Sequence, residues 1–212
     1  MADQMSISEQ VASYLLEIEA IKISLKEPFT WASGWKSPIY CDNRISLSYP
    51  DIRTFIKKAL ANIILDKYEK TEAIAGVATA GIPQGALVAN NLDLPFLYVR
   101  SKPKGHGLTN QIEGRIITGQ KIVVIEDLVS TGGSSMKAVE ALRRVKMDVL
   151  GMVSIFTYGF KQSYDLFKKG NISFYSLSDY NTLLDVAMDG GYIKPEELSK
   201  LKAWRVNPVS WN

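Results

Sequence analysis

An acidic pair followed by small polar residues is the feature of this sequence with the clearest chemistry. Residues 122–125 are apolar and predict a buried strand, with Glu126 and Asp127 at its carboxyl end. Hydroxyl residues and glycines dominate 130–135 and lead into a predicted helix. Because ligands of an open α/β sheet bind off the carboxyl ends of its strands, this segment predicts a ligand site.

The loop after the acidic pair suits a phosphate monoester. Gly132 and Gly133 let the backbone approach a ligand closely, and the free N–H groups of a helix beginning at Ser134 attract an anion. The two carboxylates would repel a phosphate, so we assign them to ribose hydroxyls or to a hydrated Mg²⁺. A strand-loop-helix turn with two solvated acids is the plain alternative. The predicted hydroxyl donors are Ser130, Thr131, Ser134 and Ser135.

A second turn of small residues follows the apolar segment 73–78. Thr79, Ala80 and Gly81 permit close backbone approach, and a predicted helix begins at Ile82. An ordinary tight turn between a strand and a helix explains these residues equally well when they are taken alone. Their position one strand-helix unit before the acidic pair favours a second phosphate loop.

A long polar segment, 101–119, interrupts the alternation of strands and helices. Loops of this length inside a compact domain are commonly functional or disordered. A cationic lid would neutralise a polyanionic ligand and exclude water from a reactive sugar centre. A solvated loop with ordinary surface lysines is the alternative. The cations in and beside the segment are Arg100, Lys102, Lys104, His106 and Arg115.

The rest of the sequence predicts an α/β fold with a central, mostly parallel sheet flanked by helices. Apolar strands alternate with helical segments, which is the pattern of a parallel sheet covered on both faces. Ser6 and Glu9 predict a capped N-terminal helix, and the aromatic-rich segment 29–44 predicts strands and turns. Strands are predicted at 73–78, 96–99, 122–125 and 149–156, helices at 51–64, 82–90 and 134–145, and further elements around Leu166, Phe174 and Leu183.

The bulk properties exclude several classes of protein. The chain of 212 residues has a formal charge of +3 and no basic run, which argues against a nucleic-acid-binding surface. Cys41 is the single cysteine, so neither an intrachain disulfide nor a cysteine zinc site is expected. No signal peptide and no apolar run long enough for a membrane span are visible, and the cytoplasm is the expected location.

The segment 122–135 resembles the signature of type I phosphoribosyltransferases for 5-phosphoribosyl-1-pyrophosphate (PRPP). The resemblance implies that Glu126 and Asp127 hold the ribose hydroxyls, that Asp127 is catalytic, and that Ser130 also lies near the base. Mg²⁺ is implied as a cofactor held mainly through PRPP and water, without a direct protein ligand. The other implied PRPP contacts are Leu128, Val129, Thr131, Gly132, Gly133 and Ser134, with Thr79, Ala80 and Gly81 as the pyrophosphate loop.

The aromatic segment 29–44 resembles the base-binding hood of the orotate phosphoribosyltransferases within this family. A planar anionic pyrimidine needs apolar flanks and donors for its carboxylate, and the resemblance implies that Lys36 and Arg44 supply such donors. An aromatic hairpin that only packs on the domain is the alternative. Many relatives carry a ligand-contacting lysine where Ala32 stands, and some carry an arginine shortly after the fourth strand, which 156–160 lacks, so the orotate contacts differ in part.

The spacing of Arg100, Lys104 and His106 matches the lid of the same enzymes. The resemblance implies that Lys104 and His106 are catalytic, and that Arg100 and Lys102 also contact PRPP. Because the lid of these enzymes reaches into the partner's active site, a homodimer is implied. Many relatives have a lysine directly after the arginine, where this chain has Ser101 followed by Lys102.

The resemblance implies transfer of the phosphoribosyl group of PRPP to orotate, which yields orotidine 5′-monophosphate and pyrophosphate. It also implies a single domain over 1–212, with a hood mainly at 1–45 plus C-terminal segments and a core at about 50–160. A purine phosphoribosyltransferase would share the PRPP motif but not the hood sequence 33–38. A PRPP-sensing regulator would bind the ligand without chemistry, and usually carries a nucleic-acid-binding surface.

Overall fold

A computed structural model describes residues 5–31, 34–102, 111–209 and 211 of the chain. The chain forms two compact units: the first unit is Met1–Arg53 with Ser178–Asn212, and the second unit is Thr54–Leu177. The interpretation of the whole chain as a single domain stays a prediction. Within the described ranges, no helix has the length and apolar character that crossing a membrane requires.

The two units are built from short strands and mostly amphipathic helices. In chain order the elements are α1 (Ile7–Glu17), β1 (Ile21–Ile23), β2 (Phe29–Thr30), β3 (Lys36–Ser37), β4 (Ile39–Cys41), a 3-10 helix (Asn43–Ser48), α2 (Pro50–Lys67), β5 (Ala73–Val77), α3 (Gly81–Leu92), β6 (Phe96–Val99), β7 (Ile112–Glu113), β8 (Lys121–Val129), α4 (Gly133–Arg144), β9 (Asp148–Thr157), α5 (Lys161–Lys169), β10 (Ser173–Asp179), α6 (Tyr180–Asp189) and α7 (Pro195–Val206).

In the first unit, helix α1 begins as its capping box predicts. The Ser6 hydroxyl accepts a hydrogen bond from the Glu9 amide at 3.3 Å, and the Glu9 carboxylate accepts one from the Ser6 amide at 2.7 Å. Helix α1 packs on α6 within this unit. Strand β1 pairs antiparallel with β4, and β2 pairs antiparallel with β3 to form a short hairpin.

In the second unit, the sheet is doubly wound around strands β5 and β8. The strand order is β10-β9-β8-β5-β6-β7, in which β5, β6, β8 and β9 run parallel and β7 pairs antiparallel with β6. From β5 the chain passes through α3 to β6, whereas from β8 it passes through α4 to β9 on the other side. The neighbouring strands β5 and β8 therefore mark the reversal of strand order, where such sheets bind ligands. The predicted α/β fold is confirmed.

Helices α3 and α4 cover opposite faces of this sheet. A Cβ at Gly85 of α3 would lie 2.7 Å from the Phe96 ring, so only glycine lets this helix pack so closely on the strands. On the other face, Met136, Val139 and Leu142 of α4 join a buried cluster formed by alternate strand residues. Strand residues are therefore buried on both sides, which explains the continuous apolar runs in the sequence.

Some elements differ from the prediction. Strand β8 does not end at the acidic pair but continues to Val129, because its last two residues still pair with β9. The segment 101–119 is not wholly loop, since β7 within it pairs with β6. Helix α4 begins at Gly133, one residue early. Helix α7 was not predicted because Leu201 and Trp204 are its only buried residues and leave no apolar periodicity to detect.

Candidate active site

The turn after β5 lies directly against strand β8. A Cβ on Gly81 would lie 2.5 Å from the carbonyl oxygen of Ile125 and 3.5 Å from the Cα of Glu126, so only glycine permits this approach. Thr79 is exposed in the turn, and Ala80 is half-buried. The structure thus brings the predicted pyrophosphate loop beside the acidic pair.

The predicted 5′-phosphate loop ends at Gly132, a glycine in the left-handed backbone conformation that precedes helix α4. Gly132 has a φ of 80° at the N-cap position and has no side chain with which to cap the helix. A Cβ there would lie 2.9 Å from the ring of Phe167 in α5. The first amides of α4 therefore remain available to bind an anion at the carboxyl ends of the strands. Ser130 and Thr131 are half-buried, and Ser134 is exposed.

The end of β9 braces this loop, a contact that sequence reasoning missed. The Thr157 hydroxyl and the Tyr158 amide each donate a hydrogen bond to the carbonyl of Val129 at 3.1 Å. The Thr157 oxygen also accepts one from the Gly159 amide at 3.1 Å. A buried hydroxyl at the end of an apolar strand was the available signal. These contacts fix the point where the loop leaves β8.

The two acids of β8 have different surroundings. Glu126 is 5% exposed, and the buried Ser135 hydroxyl of α4 donates a hydrogen bond to its carboxylate at 2.8 Å. Burial, and then the neighbouring charge of Asp127, raise the pKa of Glu126 to about 8. Asp127 points to the opposite face of the strand and is the more exposed of the two. Ser135 holds Glu126 rather than a phosphate, which corrects its predicted role.

A glutamine at position 126 tests this protonation. An acid with a raised pKa in the folded state binds a proton that the unfolded chain releases, so stability falls as pH rises from about 4.5 to about 8. We expect Glu126→Gln to unfold at the same urea concentration as the parent protein at pH 4, but to be more stable by about 1–3 kcal/mol at pH 9. Glu140→Gln, at an exposed position on α4, is the control. Identical pH dependence in all three proteins would contradict the prediction.

Asp127 of the acidic pair is also the candidate for contact with a metal ion. Among the described residues, no group of three or more His, Cys, Asp and Glu side chains could enclose one. Mg²⁺ commonly keeps several waters and binds through one or two carboxylates plus substrate phosphates. Asp127 lies near the carboxyl end of β8, beside two loops that suit phosphates, and fits that mode of binding.

Arg100 lies between the end of β6 and the predicted lid. Its amide donates a hydrogen bond to the Gln111 carbonyl at 2.8 Å, and its guanidinium pairs with Glu113 at 3.1 Å. It lines a cavity of about 230 Å³ together with Ser134 and Lys137 of α4. Sequence reasoning missed Lys137, although its place one helical turn from Ser134 puts both on one helix face.

The other predicted lid residues are only partly within the described chain. Lys102 is exposed just after β6. Lys104 and His106 lie outside the described residues, so their catalytic roles stay predictions.

The two cations predicted to bind orotate are each paired within the first unit. The Lys36 ammonium donates a hydrogen bond to the Thr30 hydroxyl across the β2–β3 hairpin at 2.8 Å. The Arg44 guanidinium donates two to Asp42, at 2.6 and 2.8 Å, and holds the pKa of that carboxyl below its ordinary value. Both cations are exposed, and their contacts with orotate stay predictions.

Comparison with known proteins agrees with this geometry. Residues 48–180 match the family model described as a phosphoribosyl transferase domain. An orotate phosphoribosyltransferase of Cytophaga hutchinsonii is 53% identical over 207 residues, which are 98% of this chain and 99% of that protein. The sequence relationship therefore extends over nearly the full length of both chains.

Solved structures share the fold. The orotate phosphoribosyltransferase of Aeropyrum pernix is 28% identical with a TM-score of 0.75, and the match covers 87% of this chain and 99% of that one. The UMP synthase of Leishmania donovani is 26% identical with a TM-score of 0.79, but this chain matches only 42% of its length. With its near full-length sequence relatives and its doubly wound sheet, the chain belongs to the orotate phosphoribosyltransferases, which have the type I phosphoribosyltransferase fold.

Proposed function

We propose that this protein transfers the 5-phosphoribosyl group of PRPP to orotate, giving orotidine 5′-monophosphate and pyrophosphate in the synthesis of UMP. The observation that carries the proposal is the start of helix α4, where the N-cap residue Gly132 has a left-handed backbone conformation and no capping side chain. This start follows the acidic pair of β8, at the point where the strand order reverses. Such a start binds phosphate, and the acids suit a sugar. The near full-length relationship to orotate phosphoribosyltransferases supports orotate as the acceptor.

The proposed mechanism needs no nucleophilic side chain. Orotate nitrogen bonds to C1 of the ribose while pyrophosphate leaves from the opposite face, through a state with oxocarbenium character, and the proton lost from that nitrogen is taken up by the pyrophosphate or by water. Asp127 contacts the sugar and stabilises its positive charge, while the amides of α4 and the hydroxyls of Ser130 and Thr131 hold the 5′-phosphate. Turn 79–81 and Arg100 orient the pyrophosphate, and Lys104 and His106 of the lid exclude water from it.

Mg²⁺ is part of the proposal. When bound, it neutralises charge on the leaving pyrophosphate. Asp127 would contact its water shell, and PRPP would supply its direct ligands. We also propose that Glu126, which is buried and bonded to Ser135, holds a ribose hydroxyl beside Asp127.

Orotate recognition is proposed for Lys36 and Arg44 of the first unit, with Ser130 near the base. Both cations are exposed, and each is held by a neighbouring oxygen that a ligand carboxylate can replace. We place the reaction in the cytoplasm, which suits a chain with Cys41 as its single cysteine.

The decisive experiment follows orotate consumption by absorbance with PRPP and Mg²⁺ present. We expect orotate to be consumed only when PRPP is added, with pyrophosphate released in equal amount. Adenine, guanine and hypoxanthine are parallel acceptors, and we expect none to react at a comparable rate. Pyrophosphate release with a purine but not with orotate would refute the proposed acceptor, and PRPP binding without any release would indicate a sensor.

A homodimer that shares its lids is also part of the proposal, and hybrid dimers test it. Asp127→Asn and a Lys104→Ala, His106→Ala double variant should each be nearly inactive. After mixed refolding at equal amounts, half of the dimers are hybrids with one of their two sites intact, so about a quarter of the parental activity should return. Asp127→Asn refolded with Asp127→Ala is the control and should stay inactive. If the lid acted within its own subunit, the hybrids would recover nothing.

A further inference from the structure

The C-terminal helix α7 is anchored by one large side chain. Trp204 is fully buried, although most of the helix around it is exposed. The centroid of its ring lies 5.5 Å from that of the Tyr180 ring. The Tyr180 hydroxyl donates a hydrogen bond to the carbonyl of Leu201 at 3.0 Å. Helix α7 is therefore fixed to α6 around this tryptophan.

Trp204 also holds the hairpin that displays Lys36. Its indole N–H donates a hydrogen bond to the Lys36 carbonyl at 3.1 Å, across 168 positions of sequence. Its ring meets the edge of Trp31 at a centroid distance of 5.6 Å. Trp31 in turn stacks on Trp35 and donates its indole N–H to the Ile39 carbonyl at 3.1 Å. Ring contacts thus join Trp204 to Trp31 and Trp31 to Trp35, both of which belong to the hairpin.

The hairpin needs this support because its strands are very short. Among the described residues, strands β2 and β3 form two residue pairs, Phe29 with Ser37 and Thr30 with Lys36. Such a hairpin is not stable in water unless it packs against other elements. With the Lys36 carbonyl bound to Trp204, the exposed ammonium bonds to the Thr30 hydroxyl on the hairpin itself.

We propose that Trp204 is a positioning residue for orotate recognition, which fixes the backbone of Lys36 so that its ammonium can meet the carboxylate of the base. This inference rests on the proposed function, in which Lys36 binds orotate. It adds a residue of the C-terminal helix, far from every motif in the sequence, to the determinants of base specificity.

Trp204→Phe tests the inference because it keeps an aromatic ring but removes the N–H donor. We expect the KM for orotate to rise roughly tenfold, while the KM for PRPP changes by less than about twofold. The preference for orotate over uracil, which lacks the carboxylate, should fall by a similar factor. Trp211→Phe removes another indole near the chain end and is the control. An unchanged KM for orotate, or an equal rise for both substrates, would overturn the inference.

A double-mutant cycle separates positioning from general damage. If Trp204 acts through Lys36, then Trp204→Phe should raise the KM for orotate much less in a Lys36→Ala background. Full additivity of the two effects would contradict the proposal. Should Trp204→Phe fail to fold, Trp204→Met repeats both measurements with a flexible apolar side chain that has no hydrogen-bond donor.

Hydrogen exchange tests this inference separately from the proposed function, because it needs no substrate. The amide of Trp31 bonds to the Trp35 carbonyl at 2.9 Å, and that of Gly34 to the Trp31 carbonyl at 2.8 Å. We expect both amides to exchange roughly tenfold faster in Trp204→Phe, which is more than the loss of global stability, measured by urea unfolding, accounts for. Unchanged exchange would refute the positioning role without reference to any substrate. Parent protein that fails to consume orotate would instead refute the proposed function alone.

Discussion

Asparagine at position 127 is expected to lower kcat by roughly 100- to 1000-fold and to weaken PRPP binding. Asp127 is the more exposed acid of the pair, and it lies on strand β8, which pairs with β5 up to Ile125 and with β9 up to Val129. Asparagine has almost the same shape and can still bond to a ribose hydroxyl. What it loses is the negative charge beside a sugar that becomes positive in the transition state.

Steady-state kinetics with orotate and PRPP measure this effect, and calorimetry measures PRPP binding. Asp148→Asn is the matched control, because Asp148 is an exposed acid at the other end of the same sheet, where β9 begins. We expect the control to keep the parental kcat within about twofold, as surface changes usually do. Parental turnover with unchanged PRPP affinity in Asp127→Asn would show that this carboxylate has no part in the reaction.

The sheet and the positions of the two turns proposed to bind phosphate were predictable because they depend on local pattern. The apolar run at 96–99 is the observed strand β6, and the predicted strand 73–78 differs from β5 by one residue. Glycine at 81 and 132 marked the places where the backbone approaches a strand or turns left-handed. Short-range sterics decide these features, and the sequence carries them directly.

The partners of the functional side chains were not predictable, because they come from distant elements. The bond from Ser135 to Glu126 depends on how α4 lies over β8, and in the sequence alone Ser135 resembles the neighbouring hydroxyl residues that we propose bind phosphate. The bond from Trp204 to Lys36 joins two ends of the chain. Only the packed structure determines which polar group each of these residues meets.

Alanine at position 132 is expected to raise the KM for PRPP roughly 10- to 100-fold, because it disturbs the cradle of the 5′-phosphate. Gly132 has a φ of 80° at the start of α4, a conformation that costs an alanine about 1–2 kcal/mol. The added Cβ would also lie 2.9 Å from the buried ring of Phe167. The loop must therefore shift, and its amides move with it.

Gly133→Ala is the matched control for this prediction, since alanine keeps the backbone amide through which Gly133 would contact PRPP, Gly133 has no positive φ, and a Cβ there would meet nothing within 4 Å. We expect that variant to keep the parental KM for PRPP within about threefold, because alanine favours a helix. Kinetics with varied PRPP at saturating orotate separate the two glycines, and urea unfolding should show a loss of about 1–3 kcal/mol in Gly132→Ala alone. If both alanines had the same small effect, the left-handed turn would not be what shapes the phosphate loop, and the site would depend on the hydroxyls of Ser130 and Thr131 instead.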